Sequence, residues 1–175
     1  GLSLRVTSTA GDTLSYDRAA RVVFDERASA GWDAYDATKL TPLNATYALL
    51  APRGQARSDS LIDKSVESRA WPSTPQTIPV ALRTNGVDTG TATLSTTRWT
   101  LPDAWSAQLV DHHTDHTYPL DSSATVSVAL SPDSSRDTPR FEVQVAPSDT
   151  DLPLDLTTLK ATLQDEAVRL QWQVA

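Results

Sequence analysis

The chain has 175 residues, 39% of them hydrophobic, and a formal charge of −7. That length holds one domain with a real core, or a domain and a fragment of a second, and five Trp and four Tyr spread along it exclude disorder throughout. The charge disfavours nucleic acid and anionic lipid, the absence of Cys excludes disulfides and thiolate chemistry, and no apolar run approaches the roughly 20 residues needed for membrane insertion as a helix.

Period-two alternation recurs along the chain, with turn residues between the runs. Leu2, Leu4 and Val6 alternate with Ser3, Arg5 and Thr7. Ala20 to Phe24 is the next predicted strand, ending at Asp25-Glu26. Ala28 to Ala37 is rich in Asp and carries Gly31 and Trp32 with no clear period, and it reads as a structured loop. Thr46 to Leu50 is a strand that stops at Pro52 and Gly54. Ser58 to Ser65 is also read as a strand, because Ser and Asp dilute the helical face that Leu61, Ile62 and Val66 would form. Thr77 to Arg83 places Ile78, Val80 and Leu82 on one face, and Pro79 within it points to an edge strand or a bulge.

Asn85-Gly86 predicts a hairpin whose return strand runs from Thr89 to Thr97. Ser106 to Asp111 and His116 to Leu120 flank a turn, and Ala124 to Leu130 and Arg140 to Val145 alternate cleanly. No segment holds a convincing helical period. Short strands at a spacing of roughly 8–12 residues, with Pro and Asp breaks, predict an all-β fold: an antiparallel, jelly-roll-like β-sandwich over residues 1–146. A polar, Pro-containing linker follows at residues 147–152, and residues 153–175 form a short C-terminal β extension. A lone hairpin is not stable in water, so the extension either packs on the sandwich or opens a truncated module. Gly1 stands where an initiator Met would, and the chain reads as a piece of a larger protein.

Acid is almost all Asp, with Glu26, Glu67, Glu142 and Glu166 as the exceptions, and base is almost all Arg, with only Lys39, Lys64 and Lys160. Salt adaptation and an Arg-favouring, GC-rich genome both give that pattern.

The run from Phe24-Asp25-Glu26 through Ala28, Gly31-Trp32-Asp33, Asp36-Ala37 and Lys39-Leu40 resembles the opening of a β-rich domain of large secreted bacterial proteins. Those proteins use type IX secretion. Ile78-Pro79-Val80 before a Gly-containing turn, Ala107 to Asp111, Tyr118 with Leu120, and Arg140-Phe141 with Val143 are similar too. Leu152-Pro153-Leu154 with Leu156, Leu159 and Ala161, ending in Val168, Leu170 and Trp172, resembles the first strands of a fibronectin-type-III-like module. The match covers most of residues 12 to 175 and lacks the sorting domain that ends such proteins. The resemblance implies a jelly-roll-like module in a secreted or cell-surface protein, with no established activity.

Three constellations are candidate sites. Asp111, His113 and His116 lie in a run that holds all three histidines, and they could ligate a metal or simply form a hydrophilic turn. Asp25, Glu26, Asp33 and Asp36 offer oxygen ligands for calcium, or else accept backbone N–H bonds and pair with Lys39 and nearby Arg. Trp32, Tyr35 and Trp71 could form a stacking platform for polysaccharide, whereas Trp99 and Trp105 are expected to pack. Hydrolase motifs and a Gly-rich phosphate loop are absent. The expected function is therefore a non-catalytic spacer or docking module whose partners are neighbouring domains of the same chain. The alternative is a carbohydrate-binding sandwich, calcium-stabilised.

Overall fold

The computed structural model describes residues 1–43, 45–56, 60–87, 89–130 and 139–148, with Ala19 and residues 156–164 and 167–174 described by their backbone alone. All of its regular elements are strands. In chain order these are β1 (Leu2–Thr7), β2 (Thr13–Phe24), β3 (Ala37–Thr38), β4 (Tyr47–Gln55), β5 (Leu61–Arg69), β6 (Gln76–Asn85) and β7 (Gly90–Thr96). They continue with β8 (Trp105–Asp111), β9 (His116–Leu120), β10 (Thr125–Leu130), β11 (Phe141–Pro147), β12 (Leu156–Gln164) and β13 (Ala167–Val174).

One layer runs β10-β7-β1-β2 and the other β4-β6-β11-β8-β9. Their inward residues share one core: Leu4, Leu94 and Val128 from the first layer, Leu50, Leu109 and Phe141 from the second. All but Leu50, whose neighbours Leu49 and Ala51 are buried as well, are apolar members of an alternating pattern, as in β10, where Val126, Val128 and Leu130 are buried between exposed neighbours. Full burial of such side chains contributes about 1.5–3 kcal/mol each. Chain connections from β6 to β7, β7 to β8, β9 to β10 and β10 to β11 pass between the layers. That crossing pattern is the one jelly-roll sandwiches share.

Strand β5 joins the two layers at one end. It pairs antiparallel with the end of β4 (Arg53↔Asp63) and parallel with the end of β2 (Phe24↔Arg69), the single parallel ladder among the described residues. Nearer its start, β2 holds β4 through side chains instead. Ser15 Oγ accepts from Ala48 N at 2.9 Å, and Asp17 Oδ2 accepts from Leu50 N at 2.8 Å.

Several elements differ from the sequence expectation. Strand β4 does not stop at Pro52 but runs on through Gly54 to Gln55, because past Pro52 it leaves β6 and pairs with β5. Pro79 lies in β6, an interior strand, not at the sheet edge. The β4 ladder ends at Pro52↔Val80, so the first part of β6, Gln76 to Pro79, pairs with β11 alone, and a missing N–H is tolerated there. Asn85-Gly86 does not make a hairpin: β6 pairs with β4 and β11, whereas β7 pairs with β1 and β10. Gly86 supplies a left-handed residue, φ 64°, that turns the chain across the layers, and Val87 behind it is buried in the core.

Pro147 closes β11 opposite Trp105, and Ser148 donates from its N to Ala104 O at 2.8 Å and from its Oγ to Asp103 O at 3.0 Å. The expected linker thus begins as sandwich, and its residues 149–152 lie outside the described residues. Among the described residues, strands β12 and β13 pair only with each other, as a separate antiparallel sheet.

Candidate functional site

The loop after β2 is built by carboxylates that accept its own backbone. Asp33 Oδ2 accepts from Ser29 N at 2.7 Å and Oδ1 from Tyr35 N at 2.8 Å, and those two N–H groups hold its carboxyl below the usual range. Asp36 reaches further, into β5. Its Oδ1 accepts from the N and the Oγ of Ser68, both at 2.9 Å, and its Oδ2 accepts from Asp33 N at 3.1 Å. The same Oδ2 meets Lys64 Nζ at 3.0 Å. Burial opposes the charge on Asp36, but the Ser68 N–H, the Lys64 ammonium and the Asp33 N–H together hold its carboxyl below the ordinary value. The expected partner Lys39 is elsewhere, 2.6 Å from Asp17.

Lys64 is wholly buried and also contacts Glu67, whose Oε1 is 3.0 Å from Arg69 Nε. Trp32 closes the cluster, with Lys64 Nζ 5.3 Å from its ring centre. Asp25 faces solvent with Arg27, and their side-chain hydrogen bonds hold the Asp25 carboxyl at about 2. Sequence reasoning missed the Lys64–Glu67 centre. The usable signal was scarcity: in an Arg-rich chain, Lys39 and Lys64 are both ion-pair partners, Lys39 half-buried and Lys64 wholly buried.

Asp111 is buried beneath the β8–β9 turn and meets Arg140 in a two-pronged pair, Nε to Oδ1 at 2.9 Å and Nη2 to Oδ2 at 2.8 Å. His113 N and Thr114 Oγ1 fill the remaining acceptor positions at 3.0 and 3.1 Å. Burial raises the Asp111 carboxyl, and the Arg140 guanidinium with the His113 N–H outweighs it. His113 and His116 line one shallow groove with Tyr118 and Arg140, and His116 packs against Tyr118 with ring centres 4.9 Å apart. Asp111 does not line that groove, and both of its oxygens already face donors. Among the described residues, no group of three or more Asp, Glu or His could hold a metal ion.

The three candidate stacking rings fall into two packing groups. Trp32 covers Lys64, and Tyr35 lies beneath the Arg27 guanidinium at 5.2 Å. Trp71 belongs to the other end of β5. It stacks on Phe24 at 5.3 Å and tilts against Trp105 at 6.4 Å. Trp99 and Trp105 pack on the core, as expected.

Beside Trp71 the layers part around a cavity of about 350 Å³. Leu2, Val22 and Phe24 form one wall, and Val80, Val143 and Val145 the other. Trp71, Trp99 and Leu101 line it as well, with Arg21 and Arg98. No histidine and none of the acidic loop residues enters it.

Fold and sites together define an all-β sandwich whose buried charges are used to fasten its own loops. No protein-family model, curated protein or solved structure matches the chain.

Proposed function

We propose that the chain is a non-catalytic spacer or docking sandwich within a larger secreted or cell-surface protein, with neighbouring domains of that protein as its partners. One observation carries the reading. The acidic groups that could do chemistry, Asp33, Asp36 and Asp111, each have their oxygens engaged by N–H, hydroxyl or cationic donors of the same chain. A carboxylate held in this way stiffens a loop and is a poor general base. Support also comes from the strand pairing, in which β12 and β13 form a second sheet of their own after the last sandwich strand, β11. The resemblance to modules of type IX-secreted proteins, carried by Phe24 to Leu40 and the later short motifs, agrees with this role.

The test places the chain between two fluorescent proteins. A rigid spacer gives one energy-transfer efficiency, unchanged by calcium or by soluble polysaccharide, up to the unfolding transition. The same protein is offered chromogenic esters and glycosides. Turnover that disappears in Asp36→Asn or His113→Ala, or retardation in polysaccharide gels that disappears in Trp71→Ala, refutes the spacer reading in favour of an enzyme or of the carbohydrate-binding alternative.

A further inference from the structure

The cavity between the layers is lined very differently from the groove beside the histidine turn. Its walls are aliphatic and aromatic, yet two arginines, Arg21 and Arg98, are among the residues that line it. The chain is acidic overall, and Arg27, Arg53, Arg69, Arg83 and Arg140 each meet a carboxylate. Arg21 and Arg98 meet none among the described residues. We propose that this cavity binds a small amphiphile with an apolar body and a carboxylate head, the body between the two layers and the head at Arg21 and Arg98.

Three features support this ligand class. The volume suits it: about 350 Å³ accommodates about a dozen water-sized atoms at roughly 30 Å³ each, within the range of small-molecule sites. The side chains of Leu2, Val22, Phe24, Val143 and Val145 offer no hydrogen bond to a polar body, which leaves the charged end of the ligand to Arg21 and Arg98. Finally, Arg98 is held at φ 50°, a left-handed conformation that residues with a Cβ avoid. It sits immediately before Trp99, so this unusual turn presents an arginine and an indole to the same cavity. An uncharged apolar guest would leave both guanidinium groups without a partner, and a cationic one would be repelled. The inference does not depend on the spacer reading, since a spacer and an enzyme could each carry such a site.

The probe is decanoate, with decanol and decyltrimethylammonium as its uncharged and cationic counterparts, each used below its micelle concentration. Binding to the full chain is followed by tryptophan fluorescence and by calorimetry. Decanoate is expected to saturate with an affinity about ten-fold above that of decanol, and the cation to bind more weakly still. Arg21→Ala and Arg98→Ala each lower decanoate affinity about three- to ten-fold and leave decanol unchanged. Added sodium chloride weakens decanoate but not decanol, an arm that needs no variant. Equal affinity for decanoate and decanol, preference for the cation, or no saturable signal overturns the proposal. So does a concentration-dependent dimer that buries the tryptophans and excludes the probe, which would make a second copy of the chain the occupant.

Discussion

Lys64 Nζ sits 3.0 Å from Asp36 Oδ2, and neither side chain reaches solvent. The ammonium is shared with Glu67, which is equally buried and passes its other oxygen to Arg69. The pair joins the loop after β2 to the strand that bridges the layers, so it fixes a long-range contact in the chain. Removing one member of such a cluster leaves the others as buried, uncompensated charge, a far larger penalty than the net worth of the pair. Lys64→Met is therefore expected to lower unfolding free energy by about 3–5 kcal/mol, read from urea titrations. Adding Glu67→Gln should recover part of the loss. A single variant within experimental error of wild type would show that water reaches the cluster.

Gly54 is the second support of the same centre. A Cβ built there would run into Glu67 Oε2 and lie 2.6 Å from its Cδ. A flexible surface carboxylate could swing aside, but Glu67 is pinned by Lys64 and Arg69. Gly54→Ala should thus destabilise by about 1–3 kcal/mol through overpacking, and Glu67→Ala in the same chain should relieve the clash. Additive losses in the double variant would contradict this account.

Those residues also mark where the sequence stops being informative. Alternation located most strands, since Leu2 to Val6, Val126 to Leu130 and Phe141 to Val145 each bury every second side chain. Local pattern is blind to partner choice, however. Asn85-Gly86 carries the hairpin signal, yet its flanking strands lie in opposite layers, and the left-handed Gly86 leads instead into a buried Val87. Gly54 and Pro52 look like strand breakers, and they are tolerated because β4 changes partner at that point. The acidic loop was legible as a cluster of acceptors, but Asp36 finds its cation 28 residues away, a distance no local motif encodes. The cavity residues Phe24, Trp71 and Trp99 lie on separate segments and converge only through the fold.

Acid should unfold the protein through these aspartates. Asp33, Asp36, Asp111 and Asp121 all have carboxyl groups held below their ordinary value. In the unfolded chain they titrate near about 3.9. Between that value and the lower folded ones, the unfolded state binds more protons, so stability falls as pH falls. The contribution is fully present above about pH 4 and is lost below it. Thermal midpoints measured from neutral pH downward should be flat and then drop, and Asp36→Asn should drop less steeply from a lower starting point. A midpoint that rises on acidification would reverse the assignment.

Calcium should leave the protein unchanged. Binding to the folded state alone raises stability by about 2.7 kcal/mol when the ion is at a hundred times its dissociation constant. Asp33 and Asp36 would have to release Ser29, Tyr35, Ser68 and Lys64 to ligate it. Equal thermal midpoints in calcium and in chelator are the expected result. A calcium-dependent rise that Asp33→Asn removes would establish a cation site in the loop.

Arg140 shows how the histidine turn is anchored. Its guanidinium holds both oxygens of Asp111 from β8 and donates a third bond, 2.9 Å long, to Ala129 O in β10 of the opposite layer. Lysine carries the same charge but offers a point in place of a fork, so it cannot span Asp111 and Ala129 together. Arg140→Lys should therefore lower unfolding free energy by about 1–3 kcal/mol, and Arg140→Ala by about 3–5 kcal/mol, because Asp111 is then buried without a partner. Asp111→Asn combined with Arg140→Ala should be less damaging than Arg140→Ala alone, since no charge is stranded. Urea midpoints for the four proteins decide the point, and equal losses for Lys and Ala would mean that the guanidinium acts by charge alone, not by its geometry.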